Sequence, residues 1–182
     1  AAILACKAVL KAGAGLINLY HQQGLETIFE SQLIEVMTHS LPILTKLQKS
    51  DDADQFEKFL TELDKNDVLL IGPGLRLSEQ SVRLVDVVTE FWEKPLVLDA
   101  DALNILADNP QWLERLKNKP VVLTPHYGEF ARMTGIEIPD LLASPIPYAV
   151  DFANRYRCSL LLKSSCRLFV NPEMTALDIS GN

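Results

Sequence analysis

The order of apolar and polar positions divides the chain into short alternating elements. Ile3, Leu4, Val9 and Leu10, with alanines between them, follow helical spacing, and Gly13 and Gly15 end that segment. Leu16 to Tyr20 and Ile34 to Thr38 read as short strands. Residues 49 to 66 are charged but carry Phe56, Phe59, Leu60 and Leu63 on one face, which predicts an amphipathic helix. Val68-Leu-Leu-Ile71 is a continuous apolar run, the pattern of a strand covered on both sides in a parallel sheet.

The alternation continues to the end of the chain. Ser78 stands as an N-cap before a helix bearing Val82, Leu84, Val85, Val88 and Phe91. Leu96 to Leu98 reads as a strand, residues 101 to 117 as helical with an interruption at Pro110, and Val121 to Leu123 as the next strand. A helix is expected from about His126 to Met133, a loop over residues 135 to 147, and a helix from the Ser144-Pro145 cap to about Arg157. Leu160 to Leu162 is a further strand, and Leu168 to Val170 with Thr175 to Asp178 form an antiparallel edge hairpin. The predicted fold is α/β: a mainly parallel sheet flanked by helices on both faces, with right-handed crossovers. There is no internal repeat and no low-complexity linker, so residues 1–182 are expected to form a single domain.

Composition narrows the partners. With 48% apolar and 23% charged residues the chain is ordinary for a globular protein. Its 17 basic and 24 acidic residues leave a formal charge of −7, which argues against nucleic acid or an anionic membrane surface as a general partner. A small anion remains compatible, because a few local donors hold phosphate against an unfavourable global field. No apolar run reaches the roughly 20 residues of a membrane span. Cys6, Cys158 and Cys166 form no CxxC and read as small buried hydrophobes of a reducing, cytoplasmic compartment. They do not combine with His21, His39 and His126 into a zinc spacing, so no metal site is expected. The chain opens without Met inside a helical pattern and stops at Gly181-Asn182 where a turn begins, so it reads as a piece of a longer protein.

Ligands of open parallel sheets bind beyond the carboxyl ends of the strands. The unusual residues of this chain sit at those ends: Gly72-Pro-Gly74, Asp99-Ala-Asp101, Thr124-Pro-His126-Tyr-Gly-Glu129 and Lys163-Ser-Ser165. Gly72-Pro-Gly74 is either a plain strand-to-helix turn or one that lets a ligand meet backbone N–H groups. Asp101 is expected to cap the next helix with Asn104 near its third position; the alternative for Asp99 and Asp101 is contact with a ligand hydroxyl or a hydrated magnesium ion. His126 opens a helix from which its ring can project over the site. Glu129, at i+3, either shares that face or complements the helix dipole. Lys163 ends an apolar strand and either meets a phosphate or extends to solvent.

The motifs Leu70-Ile-Gly-Pro-Gly-Leu75, Leu98-Asp-Ala-Asp-Ala-Leu-Asn104, Leu123-Thr-Pro-His-Tyr-Gly-Glu-Phe-Ala-Arg132 and Leu161-Leu-Lys163 resemble, in order and spacing, the NAD(P)H-hydrate dehydratases. Lys11-Ala-Gly-Ala-Gly-Leu-Ile17 and Ile34-Glu-Val-Met37 are similar to early segments of the same family. The resemblance implies a ribokinase-like fold, a three-layer Rossmann-like architecture. It also implies dehydration of NADHX and NADPHX, coupled to cleavage of ADP or ATP with Mg2+ as an accompanying ion. By the same resemblance Gly72, Gly74, His126, Gly128, Glu129 and Arg132 line the hydrated-cofactor site. Lys163, Ser164, Ser165, Cys166 and Arg167 hold the adenine nucleotide, and Asp99, Asp101 and Asn104 shape the rim. A homo-oligomer is common in the family, and the apolar start of the chain allows one.

Two positions depart from the family pattern: Arg76 and Ser164 stand where glycines are usual. The family's Gly-Gly-x-Gly-Asp, whose Asp is the catalytic base, is expected shortly after Asn182, and a substrate loop before Ala1. The resemblance therefore implies an incomplete fold that is inactive or very weak by itself. The competing readings are a ribokinase-like small-molecule kinase and a non-catalytic adenine-nucleotide-binding module.

Overall fold

The computed structural model describes residues 1–42 and 53–180. They divide into two compact units, Ala1–Leu63 and Asp64–Asn182.

The first unit opens with helix α1 (Ala2–Lys11), followed by β1 (Asn18–His21), α2 (Glu26–Glu30), β2 (Met37–Ser40) and α3 (Ala53–Leu63). β1 and β2 pair in parallel, Asn18 opposite Met37 and His21 opposite Ser40. The second strand starts three residues later than the apolar pattern predicts. Leu33 and Val36 instead anchor a turn by packing with Cys6, while Ile34 between them is 95% exposed. The short helix α2 is not visible in the apolar pattern because it buries no residue. The predicted helix over 49–66 is found as α3, and residues 49–52 lie outside the described residues. On this unit Tyr20 stacks on His39 (5.1 Å between ring centroids) and meets Phe59 edge-on.

The second unit is a six-stranded sheet whose spatial order equals its chain order: β3 (Leu69–Ile71), β4 (Leu96–Leu98), β5 (Val121–Leu123), β6 (Ser159–Leu162), β7 (Arg167–Val170) and β8 (Thr175–Asp178). The first four strands are parallel and the last two form the expected antiparallel hairpin. The intervening helices are α4 (Glu79–Phe91), α5 (Asp101–Asp108), α6 (Trp112–Arg115), α7 (Tyr127–Thr134), α8 (Ile138–Ala143) and α9 (Pro145–Tyr156). Because the strand order never reverses, right-handed crossovers carry these helices to one face of this sheet. Leu96, Leu98, Val121, Leu123, Leu160 and Leu162 are buried, while their alternates Leu70, Val97, Val122 and Leu161 keep part of their surface exposed.

Local chemistry accounts for most boundaries. The Ser78 side chain accepts from the Ser81 N–H at 3.1 Å, as a cap should. Pro110 separates α5 from α6. The stretch 135–147, expected as a loop, holds α8: its proline sits in the first turn, where no N–H is needed, and Leu141 is fully buried. Ser144 does stand at the N-cap of α9, but its hydroxyl makes no capping bond.

Candidate functional site

β3 to β6 run parallel, so their carboxyl ends share one edge of the second unit. Gly72 leaves β3 with φ +125, and a Cβ there would lie 1.7 Å from the Asp99 carbonyl oxygen. The N–H of Asp99 donates to the Ile71 carbonyl at 3.1 Å. Gly72 is therefore required by close packing of two strand ends, and it is buried; Gly74 (φ +78) is exposed. The turn closes through the Leu75 N–H donating to the Gly72 carbonyl at 3.0 Å. Arg76, where glycine is usual, has φ +63: it keeps the left-handed conformation that glycine would adopt without strain. Its backbone N–H donates to Asp101 Oδ2 at 2.8 Å.

That bond corrects the expectation for Asp101. The N-cap of α5 is Ala100, at φ +49 and ψ −119, and no side chain caps the helix; Asp101 is already helical, with its carboxylate turned to the β3–α4 turn. A non-glycine residue in this region carries about 1–3 kcal/mol of strain. On the other side of Ala100, Asp99 Oδ1 lies 2.5 Å from Lys163 Nζ, both side chains half-buried. The pair reaches from the end of β4 across β5 to the end of β6. Lys163 thus neither extends to solvent nor waits without a partner. Its backbone is fixed as well: its N–H donates to the Pro125 carbonyl at 2.8 Å, and it forms a parallel bridge with His126.

His126 is the N-cap of α7. Its Nδ1 accepts from the N–H groups of Gly128 (2.9 Å) and Glu129 (3.2 Å), while the His126 N–H donates to Glu129 Oε2 at 2.8 Å. This is a reciprocal capping box with histidine in the place of serine. Since Nδ1 is an acceptor, the neutral ring carries its proton on Nε2, 3.4 Å from Glu129 Oε1. Glu129 is buried and His126 half exposed, so the ring is held firmly yet open to solvent. At Gly128 a Cβ would come within 3.0 Å of the His126 ring. Arg132 donates to the Gly128 carbonyl at 3.3 Å and to Asn104 Oδ1, which ties α7 to α5.

Beyond Lys163 the chain makes a tight turn into β7. Ser164, the second departure from glycine, uses its hydroxyl inside this turn: it donates to the Cys166 carbonyl and accepts from the Cys166 N–H. Ser165, Cys166 and Arg167 are exposed. Arg167 points along the hairpin to Asp178 at 3.1 Å. The hydroxyl and N–H of Ser180, and then Arg167, hold the Asp178 carboxyl down at about 2. The reading of all three cysteines as buried holds for Cys6 and Cys158 and fails for Cys166. Burial pushes the Cys158 thiol up to about 12. Among the described residues no three His, Cys, Asp or Glu side chains converge as a metal cluster.

The edge therefore brings together Gly74, the pair Asp99–Lys163, Asp101, His126, Gly128 and Glu129. Arg167 is drawn away to the hairpin, and Gly72 lies beneath. The His-x-x-Glu spacing after Pro125 is a capping-box signature that the sequence already contained. The Asp99–Lys163 pair has no such signal, because it depends on which strands are neighbours.

Such a fold defines the ribokinase-like class. The chain superposes on a ribokinase-like superfamily protein of Enterococcus faecalis with a TM-score of 0.78 at 19% identity, over 99% of this chain and 58% of that one. Within that class the chain belongs to the NAD(P)H-hydrate dehydratase family, whose model matches residues 1–181. The bifunctional NAD(P)H-hydrate repair enzyme of Moorella thermoacetica is 37% identical over 93% of this chain and 32% of its own length. The same-named enzyme of Thermofilum pendens is 30% identical over 100% of this chain and 34% of its own. The ADP/ATP-dependent NAD(P)H-hydrate dehydratase of Bacillus subtilis, co-crystallised with ATP and Mg2+, matches with a TM-score of 0.75 at 25% identity, over 100% of this chain and 61% of that one. The chain spans about a third of the length of these curated relatives.

Proposed function

We propose that this chain supplies substrate- and nucleotide-binding parts of an ADP- or ATP-dependent dehydratase that returns NADHX and NADPHX to NADH and NADPH. In this reading the terminal phosphoryl group of the nucleotide passes to the ring hydroxyl of the hydrated cofactor. Phosphate then leaves with the electron pair of the C–O bond, a proton is lost from the adjacent ring carbon, and the double bond reforms. The nucleotide ends one phosphate shorter, and the oxygen of the hydrate departs in inorganic phosphate.

One observation carries the assignment to this part of the chain. Lys163 and the amino end of α7 stand side by side at a parallel-strand edge, joined by the His126–Lys163 bridge. An ammonium and a helix N-terminus together favour an anionic group. Lys163 and the turn Ser164, Ser165 and Cys166 are assigned to the nucleotide, which Arg167 joins only by leaving Asp178, and Gly74, His126, Gly128, Glu129 and Arg132 to the hydrated cofactor. Gly72 serves by shaping the turn beneath, and Asp99, Asp101 and Asn104 by shaping the rim. Magnesium would arrive with the nucleotide, held mainly by phosphate oxygens and water, which matches an edge of single carboxylates. The free thiols suit a reducing cytoplasm.

The test is turnover of NADHX by the full-length protein, followed by the absorbance of the regained NADH, with ADP and ATP offered separately. Regain with one nucleotide establishes the reaction and its donor. No regain with either, in a protein that still binds ADP or ATP, overturns the dehydratase reading in favour of a kinase or a binding module.

A further inference from the structure

The most unusual backbone on the edge is Ala100. Its φ of +49 with ψ −119 lies where an alanine is strained, yet no local cap holds it. Three separate contacts fix its neighbours instead. The Asp99 carbonyl is packed so closely on Gly72 that no Cβ fits between them. Asp101 accepts from the Arg76 N–H. The Asp99 carboxylate holds the Lys163 ammonium at 2.5 Å, from a position 64 residues earlier in the chain. A strained residue persists where the surroundings over-determine it, and here both flanking side chains do so. One of them is committed to the lysine assigned to phosphate.

We propose that Asp99 is a positioning residue: it holds the Lys163 ammonium at the strand edge in the nucleotide-free protein and shares it with the nucleotide phosphate, each taking one of its three N–H donors. The inference rests on the nucleotide reading of Lys163. An unheld lysine has four rotatable carbons and samples many positions. Held by Asp99, it keeps its charge over the strand edge beside the His126 cap. Two consequences have opposite signs. The carboxylate competes with phosphate for the same ammonium, so removing its charge strengthens nucleotide binding. It also orients the ammonium for transfer, so removing it slows the chemical step.

The experiment is Asp99→Asn in the full-length protein, with Asp99→Glu and Lys163→Met beside it. Asparagine preserves the backbone packing against Gly72, and thermal melting checks that each variant is folded. Asp99→Asn is expected to bind ADP or ATP about twofold to fivefold tighter, the range of a half-exposed ion pair. Its kcat is expected to fall about tenfold to a hundredfold, as for a misplaced reacting group. Asp99→Glu should recover part of kcat. In a Lys163→Met background Asp99→Asn should change neither quantity further, since the carboxylate acts through the lysine. A folded Asp99→Asn with weaker nucleotide binding overturns the proposal, as does an effect of equal size in the Lys163→Met background. The binding measurement needs no turnover. If the wild-type protein binds nucleotide but dehydrates nothing, the dehydratase reading fails while this proposal is still decided by the two dissociation constants.

Discussion

α5 and α7 begin on the same edge of the same sheet, each a few residues beyond a buried parallel strand, and their amino ends are built in opposite ways. α7 closes on itself within four residues: His126 and Glu129 satisfy each other's backbone N–H groups, and the assembly needs nothing from elsewhere. α5 has no side-chain cap and begins at a strained alanine, whose two flanking carboxylates, Asp99 and Asp101, go to Lys163 and to the Arg76 N–H. A locally closed terminus keeps its geometry without help from distant residues. A terminus held by distant partners depends on them, and on the proposed nucleotide reading of Lys163 the α5 end is where binding would act on the strained backbone.

The difference can be broken most severely through Gly72, on which the α5 end rests. Gly72→Ala sets a Cβ 1.7 Å from the Asp99 carbonyl at a φ of +125. It is expected to remove more than about 3 kcal/mol of stability, visible as loss of a cooperative urea transition at ordinary temperature. Glu129→Ala opens the α7 cap and strands the His126 N–H; a loss of about 1–2 kcal/mol in the same measurement is expected. Ala100→Gly sharpens the contrast from the other side. It relieves the left-handed backbone and should raise stability by about 0.5–1 kcal/mol, whereas glycine at His126 should lower it. The smallest effect is expected in the β7–β8 hairpin, at Asp178. Its folded-state carboxyl lies at about 2, below the ordinary 3.8, so its contribution is present above the ordinary value and lost as pH falls through about 2. Asp178→Asn should flatten the acid side of the stability profile between those two values, measured by melting temperature against pH.

The parallel strands were legible because each is a short apolar run followed by a residue that ends it: Gly72, Asp99, Thr124 and Lys163. The α4 cap was legible from Ser78, and the hairpin from the two short segments Leu168–Val170 and Thr175–Asp178. The α8 helix was not, because Pro139 reads as a loop signal unless it is known to occupy a first turn. The helix α2 was not, since none of its residues is fully buried and only Phe29 packs on the small core. At the carboxyl edge the strand ends bring Gly74, Asp99, Asp101, His126, Gly128, Glu129 and Lys163 together as the sequence predicts, but the partners of Asp101 and Lys163 differ from those expected. Asp101 reads as a cap until Arg76 is seen to need an acceptor. Lys163 reads as a free cation until the strand order places Asp99 two strands away. Arg76 and Ser164 read as losses relative to glycine, yet Arg76 keeps the left-handed backbone and the Ser164 hydroxyl fills its turn with two hydrogen bonds. Local spacing reveals which residues meet within one turn of chain; contacts between strand ends follow only from topology.

The sheet of the second unit lists its strands in the order in which they are synthesised, from β3 to β8. Each strand after β3 therefore finds its partner already made, and none must insert between two earlier ones. Such a sheet can grow along one edge as the chain emerges, and each crossover closes only a short loop compared with pairing between distant ends of a chain. The Asp99–Lys163 pair closes the parallel part of that succession, since it cannot form until β6 has docked. The ammonium of Lys163 thus doubles as a marker of assembly: its arrival at Asp99 requires β4, β5 and β6 to stand side by side.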